Sequence, residues 1–317
     1  MPSGPLDFGS IRGLRVGQAE TPERTSGVTV VLFDTPAPTV VDVRGGASAT
    51  YDTASLALDA TFGRRWAVFF AGGSLYGLDA ARGIRTRILE TGGGHRAFRN
   101  PNVVVPISDA ALFDLPTAPG PVPDYLPLGY EAARRARRGP VTVGRVGAGA
   151  GATVGKYLGR HRAMPGGVGA AASRFGRGRL GVLVAVNSVG AVRDPTTGTW
   201  VAGARGPRGT IVPPRARRVG ADRTTGTTLS LVATDLAVDR PALARVAAMV
   251  QTGLAAAIAP FHSSTDGDVL FAASTGAAGN APPGSRPGET ADRLGARAAA
   301  LAVDAVLGAV RAARDER

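Results

Sequence analysis

A threonine at the start of an apolar segment is the first candidate for a catalytic residue. The stretch 224–235 is TTGTTLSLVATD, in which Gly226 and Thr227 precede a run that is typical of a buried strand. Cleavage between them would give Thr227 a free α-amine beside its own hydroxyl, a base and a nucleophile in one residue. The ordinary pKa of such an amine, about 7.7 to 8.0, suits a general base near neutral pH. A polar turn before an ordinary strand is the alternative interpretation.

The second candidate is Lys156, the single lysine among 37 basic residues. Arginine serves at every other basic position, so this position is predicted to need a compact ammonium whose pKa can change. The lysine lies in a segment of small residues, 144–159, whose glycines allow close backbone approach or simply form a loop.

Three further polar residues stand where predicted strands begin or end. Asn187 closes the strand-like run 181–187, where an amide is either a satisfied turn residue or a donor to an oxyanion. Asp266 and Asp268 flank Gly267 just before the apolar run 269–274. A lone D-G-D is usually a turn or a weak cation site, so these carboxylates gain weight only together with the other candidates.

The composition excludes several kinds of chemistry. At 317 residues and 44% hydrophobic, the chain can form one large domain or two ordinary ones. Without cysteine there is no thiolate catalysis, disulfide or zinc ribbon, and the three scattered histidines form no HExxH. We therefore expect no metal and no other cofactor. No run of about 18 apolar residues and no basic-then-apolar N-terminus occurs, so we expect a cytosolic protein without a membrane partner.

A formal net charge of +13 raises the possibility of a nucleic-acid partner. The arginines are dispersed, however, and the two densest clusters contain no interleaved aromatic residues for base stacking. These clusters are Arg134, Arg135, Arg137 and Arg138, and then Arg215, Arg217 and Arg218. A solvated basic face is the simpler interpretation, and no nucleic-acid partner is expected.

The candidate residues must be positioned by alternating strands and helices. Hydrophobic periodicity and breaker residues predict strands at 27–34 and 39–43 (as a hairpin), 66–71, 102–107, 181–187 and after Thr227. They predict helices ending near residue 89 and at 131–138, 241–260 and 290–314. The Gly-, Pro- and Arg-rich stretch 200–219 is expected to be an exposed linker, so a cut after Gly226 would be accessible.

Seven ordered sequence blocks resemble the self-cleaving N-terminal-nucleophile hydrolases that include L-aminopeptidase/D-esterase, β-peptidyl aminopeptidases and nylon-oligomer hydrolases. The resemblance covers nearly the whole chain and implies an α/β fold, an αββα sandwich, commonly assembled into tetramers. The blocks are Ser26–Asp34, Val41–Ala47, Ala71–Ala81 (AGGSLYGLDAA), Gly149–Lys156 (GAGATVGK), Val184–Gly190 (VAVNSVG), Thr227–Asp235 and Asp266–Ala272 (DGDVLFA).

The resemblance also implies a role for each candidate. Thr227 would attack the carbonyl of Gly226 and divide the chain into an α fragment, 1–226, and a β fragment, 227–317, which together form one globular domain. Lys156 matches the family lysine near the nucleophile, and Asn187 matches the asparagine that helps to stabilise the oxyanion. Asp266 and Asp268 match the acidic pair that orients the threonine and its ammonium.

Two departures concern the substrate. Gly226 stands where the nylon-oligomer hydrolases have asparagine, and Phe113 stands where they have a tyrosine that could help to bind substrate. We therefore expect an autoproteolytic amide hydrolase of the aminopeptidase type, acting on small peptides, amides or esters. Endo-hydrolysis of 6-aminohexanoate (nylon) oligomers is the alternative. A basic nucleic-acid-binding protein and a non-processing scaffold are the alternatives from other classes.

Overall fold

Nine hydrogen-bonded strands form the centre of the fold. The computed structural model describes residues 6–96, 101–115, 121–214 and 225–315. Within these ranges the strands of this sheet are β1 (Leu14–Glu20), β2 (Gly27–Val43), β3 (Ala49–Tyr51), β4 (Arg64–Ala71), β5 (Ile107–Ala111), β6 (Gly167–Phe175), β7 (Gly178–Asn187), β8 (Thr227–Thr234) and β9 (Val269–Ser274). Their order is β6-β7-β8-β9-β2-β4-β5-β3, and β1 pairs with β2 beside this path.

The strand β2 belongs to both halves of this sheet. Residues 27–33 pair with β1, and residues 28–32 and, after a register shift, 37–38 pair with β4. The last part, residues 39–43, pairs with β9. The hairpin predicted here is wrong, because the segment DTPAP between the two parts stays extended instead of reversing the chain. Proline fixes φ in a range that extended backbone shares and donates no hydrogen bond, so the strand can change neighbours at Pro36 and Pro38.

Two pairs of helices cover the outer faces. They are α1 (Ala80–Glu90), α2 (Tyr125–Arg135), α3 (Arg240–Ala257) and α4 (Glu289–Asp315). The helices α3 and α4 pack on the half formed by β6–β9, and α1 and α2 pack on the half around β4. Between the two halves lies a third apolar cluster, which includes Phe33, Phe70, Leu231 and Phe271. The four layers form an αββα sandwich, so the fold predicted from the sequence is confirmed.

Helix ends follow the capping chemistry of the sequence in two cases. Asp239 accepts a hydrogen bond from the backbone N–H of Ala242, and Pro241 stands in the first turn of α3, as expected. The helix α2 begins earlier than predicted, with Asp124 accepting from the N–H of Leu126. Pro127 falls in its first turn, where a missing N–H costs nothing, so this proline is part of the helix and does not precede it.

Short strands complete the structure. Trp200–Ala202, Ala204–Arg205 and Ile211–Val212 lie in the expected linker, whose residues from 215 onward fall outside the described ranges together with Arg215, Arg217 and Arg218. The others are His95–Arg96, Val103–Val104, Thr153–Val154, Met164–Pro165, Ala191–Arg193 and Ile258–Ala259. Each helix in the described part of the chain is too short or too polar to cross a lipid bilayer.

Candidate active site

The site is built where β7 ends and β8 begins. These strands are antiparallel, and their register places Asn187, the last residue of β7, directly opposite Thr227, the first residue of β8. Both side chains are buried. Two residues that the sequence separates by a long connection are therefore neighbours at one edge of the central sheet.

Lys156 reaches this edge from a short 3₁₀ turn, Lys156–Leu158. The turn follows Gly155, whose φ of +79° favours glycine and whose Cβ position would overlap the backbone of Gly203. The fully buried ammonium donates hydrogen bonds to the backbone oxygen of Asn187 at 2.6 Å and to its side-chain oxygen at 2.7 Å. The small-residue segment thus allows the close approach that places the single lysine against Asn187.

The amide of Asn187 is fixed on both sides. Its oxygen also accepts from the backbone N–H of Thr153 at 3.0 Å, and its nitrogen donates to the backbone oxygen of Phe113 at 3.0 Å. If the amide were flipped, its NH₂ group would face two other donors, the Lys156 ammonium and the Thr153 N–H. Only the observed orientation therefore satisfies all of these groups. Phe113 therefore enters the site through its carbonyl. Its half-buried ring lies under the guanidinium of Arg160, 5.2 Å from the ring centroid.

The two aspartates lie beside the candidate nucleophile without contacting its hydroxyl. Asp266 accepts from the N–H of Val189 at 3.1 Å and from the hydroxyl of Ser263 at 2.6 Å. Asp268 accepts from the N–H of Thr228 at 2.7 Å and from both the backbone N–H and Nδ1 of His262 at 3.0 Å. Among the described residues neither carboxylate hydrogen-bonds to the Thr227 hydroxyl. Asp268 holds the N–H of the next residue, Thr228, and Asp266 holds the N–H of Val189, two residues after Asn187.

Two donors converge on the carbonyl of Gly226. The Thr227 hydroxyl hydrogen-bonds to this oxygen, and the backbone N–H of Gly267 donates to it at 3.0 Å. A Cβ at position 226 would overlap Asp266 and the N–H of Val189, so the position accepts only glycine. A fixed N–H aimed at a carbonyl oxygen stabilises negative charge that develops there during nucleophilic attack.

Burial shifts the protonation of the site. It lowers the pKa of Lys156 to about 7; the nearby charge of Arg160 acts in the same direction, and Asp266, Asp114 and Asp268 oppose it. Burial, and then the charge of Asp268, raises the pKa of Asp266. Lys156 can therefore lose its proton near neutral pH, the property for which the sequence singled out a lysine among arginines.

The comparison with protein families decides what kind of protein carries this site. The model of peptidase family S58 matches residues 9–317, nearly the whole chain. The chain belongs to peptidase family S58. As an S58 member it is a hydrolase of amide bonds.

Curated relatives agree with the S58 assignment over nearly the same length. An uncharacterized aminopeptidase of Mycobacterium tuberculosis is 35% identical over 329 residues, which cover 95% of this chain and 92% of the relative. A 6-aminohexanoate-oligomer endohydrolase of Agromyces sp. (strain KY5R) is 32% identical over 308 residues, 93% of this chain and 83% of the relative.

Solved structures of other proteins share the fold of this S58 chain. An L-aminopeptidase D-Ala-esterase/amidase from Ochrobactrum anthropi, described as a variant of the Ntn (N-terminal nucleophile) hydrolase fold, superposes with a TM-score of 0.62. It is 20% identical, and the match covers 99% of this chain and 87% of that one. A β-aminopeptidase of Burkholderia sp. gives a TM-score of 0.62 at 18% identity, covering 99% and 88%. The family resemblance inferred from the sequence blocks is thus confirmed.

The S58 chain holds a second buried polar cluster that sequence reasoning missed. Asp114 accepts from the N–H of Gly73 at 2.6 Å and from the hydroxyl of Ser26 at 2.8 Å, and Ser26 shares a 2.7 Å hydrogen bond with the Tyr125 hydroxyl. Burial raises the pKa of Asp114 to about 6. Ser26 and Gly73 lie inside two of the sequence blocks that resemble the family, 26–34 and 71–81. Their place in those blocks is the signal that could have found them.

Proposed function

We propose that this S58 hydrolase cuts its own chain before Thr227 and then uses Thr227 as an N-terminal nucleophile for aminopeptidase-type amide hydrolysis. One observation carries the proposal: the Thr227 hydroxyl and the Gly267 N–H meet at the carbonyl of Gly226, the bond that self-cleavage would break. A hydroxyl already against a polarised carbonyl needs little further motion to attack it.

The self-cleavage step follows from this arrangement. The Thr227 oxygen bonds to the carbonyl carbon of Gly226 while the C–N bond to Thr227 breaks, and the nitrogen takes up the hydroxyl proton. Water then hydrolyses the resulting ester, leaving Gly226 with a carboxylate and Thr227 with a free amine. The Gly267 N–H supports the negative charge on the Gly226 oxygen during both steps.

In the mature enzyme the new α-amine of Thr227 would take the proton of its own hydroxyl during attack on a substrate amide. When Lys156 is protonated, its charge lowers the pKa of that amine, so the amine stays uncharged at a higher proton concentration than beside a neutral Lys156. The Asn187 amide nitrogen carries two hydrogens, of which the Phe113 carbonyl accepts one. The other is suited to stabilise the substrate oxyanion.

Burial of the site supports cleavage as the first event. Thr227 is 2% exposed, and Gly226 and Lys156 are buried as well. Gly226 occupies the place beside the nucleophile that a substrate carbonyl would need. The residues just before the cut are therefore the first substrate, and their release would open the site to others.

For the external substrate we favour small peptides, amides or esters with a free amino terminus. The aminopeptidase relative at 35% identity supports this class. The second candidate is endo-hydrolysis of 6-aminohexanoate oligomers, which the 32% identical endohydrolase favours and the missing hydroxyl at Phe113 opposes. A tetramer of cleaved units and a cytosolic location stay predictions, and sedimentation of the mature protein would test the first.

Intact-mass measurement of purified protein tests the proposal. The wild type should give two fragments, the second beginning at Thr227, and Thr227→Ala should give one uncut chain without amidase activity. Thr228→Ala is the matched control, because its buried hydroxyl makes no hydrogen bond among the described residues. It should still be cut. A Thr227→Ala protein that arrives as the same two fragments would refute the assignment.

A further inference from the structure

Arg160 contacts one short segment of the site three times. Its Nη1 donates to the backbone oxygen of Leu115 at 2.7 Å, and its Nη2 donates to that of Phe113 at 3.1 Å. The guanidinium also covers the Phe113 ring. The planar guanidinium can donate to two carbonyls and stack on a ring at the same time, which the compact ammonium of lysine cannot do.

The Phe113 carbonyl links this contact to the catalytic candidates. The same oxygen accepts from Arg160 and from the amide nitrogen of Asn187, which uses both of its lone pairs. Because the amide nitrogen of Asn187 is held there, its oxygen must face Lys156 and the N–H of Thr153. Movement of the Phe113 carbonyl would therefore disturb the hydrogen bonds of Lys156.

We propose that Arg160 is a positioning residue for the Lys156–Asn187 pair, acting through the carbonyl of Phe113. The expected effect of Arg160 on catalysis rests on the proposed function. Its expected effect on the position of Lys156 and Asn187 rests on the geometry alone. In this proposal Arg160 makes no contact with the substrate.

The other side of the segment has its own anchor, so loss of Arg160 should stay local. Asp114, between Phe113 and Leu115, is held by Gly73 and Ser26 as described above. The chain should therefore keep its path from β5 to Asp114 in an Arg160 variant, while the carbonyls of Phe113 and Leu115 lose a shared donor.

Arg160 also acts on Lys156 by charge. The charged groups that influence the lysine are Arg160, which lowers its pKa, and Asp266, Asp114 and Asp268, which raise it, all against a larger lowering by burial. Replacement of Arg160 by a neutral residue should raise the pKa of Lys156, and replacement by lysine should not. The two substitutions therefore separate charge from geometry.

The first experiment titrates Lys156 directly. Because the chain has one lysine, protein labelled with ¹³Cε-lysine gives a single NMR signal that needs no assignment. Arg160→Gln should raise the measured pKa by roughly 0.5 or more, and the Arg162→Gln control, an exposed arginine two residues away, should leave it unchanged. This readout does not depend on catalysis, so it stays informative even if Thr227 proves not to be the nucleophile.

The second experiment measures hydrolysis of an amino-acid p-nitroanilide whose side chain is uncharged. Arg160→Lys should lower kcat about tenfold without moving the pH profile, whereas Arg160→Gln should lower kcat further and move its acidic limb to higher pH. In an Asn187→Ala background, Arg160→Gln should cost little more, because the linked amide is gone.

Two outcomes would overturn the inference. If Arg160→Gln lowers only Tm and leaves kcat, the pH profile and the lysine pKa unchanged, Arg160 merely stabilises the fold. If the variants raise KM only for substrates that carry a carboxylate, Arg160 binds substrate instead. Failure of the proposed function is recognised separately, by an active Thr227→Ala protein.

Discussion

Asn187 and Thr227 face each other as the last and first residues of two neighbouring antiparallel strands. Strand ends are where a sheet stops constraining its residues on both sides, so polar groups placed there can serve chemistry while the strands keep them rigid. The pairing is supported from outside the sheet by Lys156, which hydrogen-bonds to Asn187, and by Asp268, which holds the residue after Thr227.

Gly267→Ala should slow self-cleavage. A Cβ there would lie 2.9 Å from the Thr227 hydroxyl oxygen and 2.9 Å from the backbone oxygen of Ala47, tighter than a normal contact, while the N–H to Gly226 remains. The added methyl group should displace the Thr227 hydroxyl from the position in which it can attack the Gly226 carbonyl. The rate of self-cleavage should then fall roughly tenfold or more, and uncut precursor should accumulate. Intact-mass time courses after expression measure it.

Gly308→Ala in α4 is the control for that substitution, because nothing lies within 4 Å of its Cβ position. It should leave cleavage unchanged and stabilise the helix by up to about 1 kcal/mol. Cleavage of Gly267→Ala at the wild-type rate would show that the hydroxyl tolerates the added methyl group, and the attack geometry inferred for the precursor would be wrong.

Lys156→Met should abolish activity yet increase stability at acidic pH. Burial lowers the folded-state pKa of the lysine to about 7, while its ordinary value is 10.5, so between these values the unfolded chain binds a proton that the folded chain does not. Wild-type stability therefore rises with pH across this window. The advantage of the methionine variant should be largest below pH 7 and shrink by up to roughly 5 kcal/mol towards pH 10.5.

This comparison needs chains in the same covalent state. Both proteins should carry Thr227→Ala, so that each is uncut, and urea unfolding at several pH values gives the free energies. A stability difference that does not change with pH would mean that Lys156 keeps its proton in the folded chain. Activity is compared separately with Lys156→Arg, which should also be inactive because arginine cannot lose its proton.

The sequence predicted the site residues better than the contacts that hold them. Thr227, Asn187 and the aspartates could be found because each stands at a strand boundary, and Lys156 because it is the single lysine. Their roles stay predictions, but the structure brings these residues to one edge of the sheet.

Contacts between distant residues could not be predicted. The Ser26–Asp114 and Ser26–Tyr125 hydrogen bonds join residues 88 and 99 positions apart, a distance that local periodicity does not report. Arg160 had no distinguishing feature among many arginines. The path of β2 was predicted wrongly because proline marks both a turn and a strand that changes partners.

Asp114→Asn should change stability in a pH-dependent way. Burial raises the folded-state pKa of Asp114 to about 6 from its ordinary 3.8, so between these values the folded chain binds a proton that the unfolded chain does not. Wild-type stability therefore falls as pH rises through this window, and the asparagine variant lacks that loss. Its stability relative to the wild type should increase by up to roughly 3 kcal/mol from pH 4 to pH 7.

The lysine signal gives an independent check on Asp114→Asn. Asp114 raises the pKa of Lys156 by its charge, so its removal should lower that pKa, opposite to the effect expected for Arg160→Gln. Urea unfolding at pH 4 and pH 7 and the ¹³Cε-lysine titration measure the two effects. Relative stability that is constant with pH would show that Asp114 is ionised throughout.

Phe113→Tyr should shift substrate preference towards 6-aminohexanoate oligomers. The nylon-oligomer hydrolases that the sequence resembles carry a tyrosine here, and a new hydroxyl at the ring edge would offer one more hydrogen bond to a substrate amide. One such bond is worth about 0.5 to 1.5 kcal/mol, or roughly 2- to 10-fold in kcat/KM. Because Arg160 covers the ring face, the ring should keep its place.

The measurement is the ratio of kcat/KM for a 6-aminohexanoate oligomer to that for an amino-acid p-nitroanilide. Phe175→Tyr is the matched control, since Phe175 also lies under an arginine, Arg293, but at the far end of β6, where it touches none of the candidate residues. It should leave the ratio unchanged. If Phe113→Tyr also leaves it unchanged, the ring edge does not face the substrate, and the departure at this position does not explain any preference against nylon oligomers.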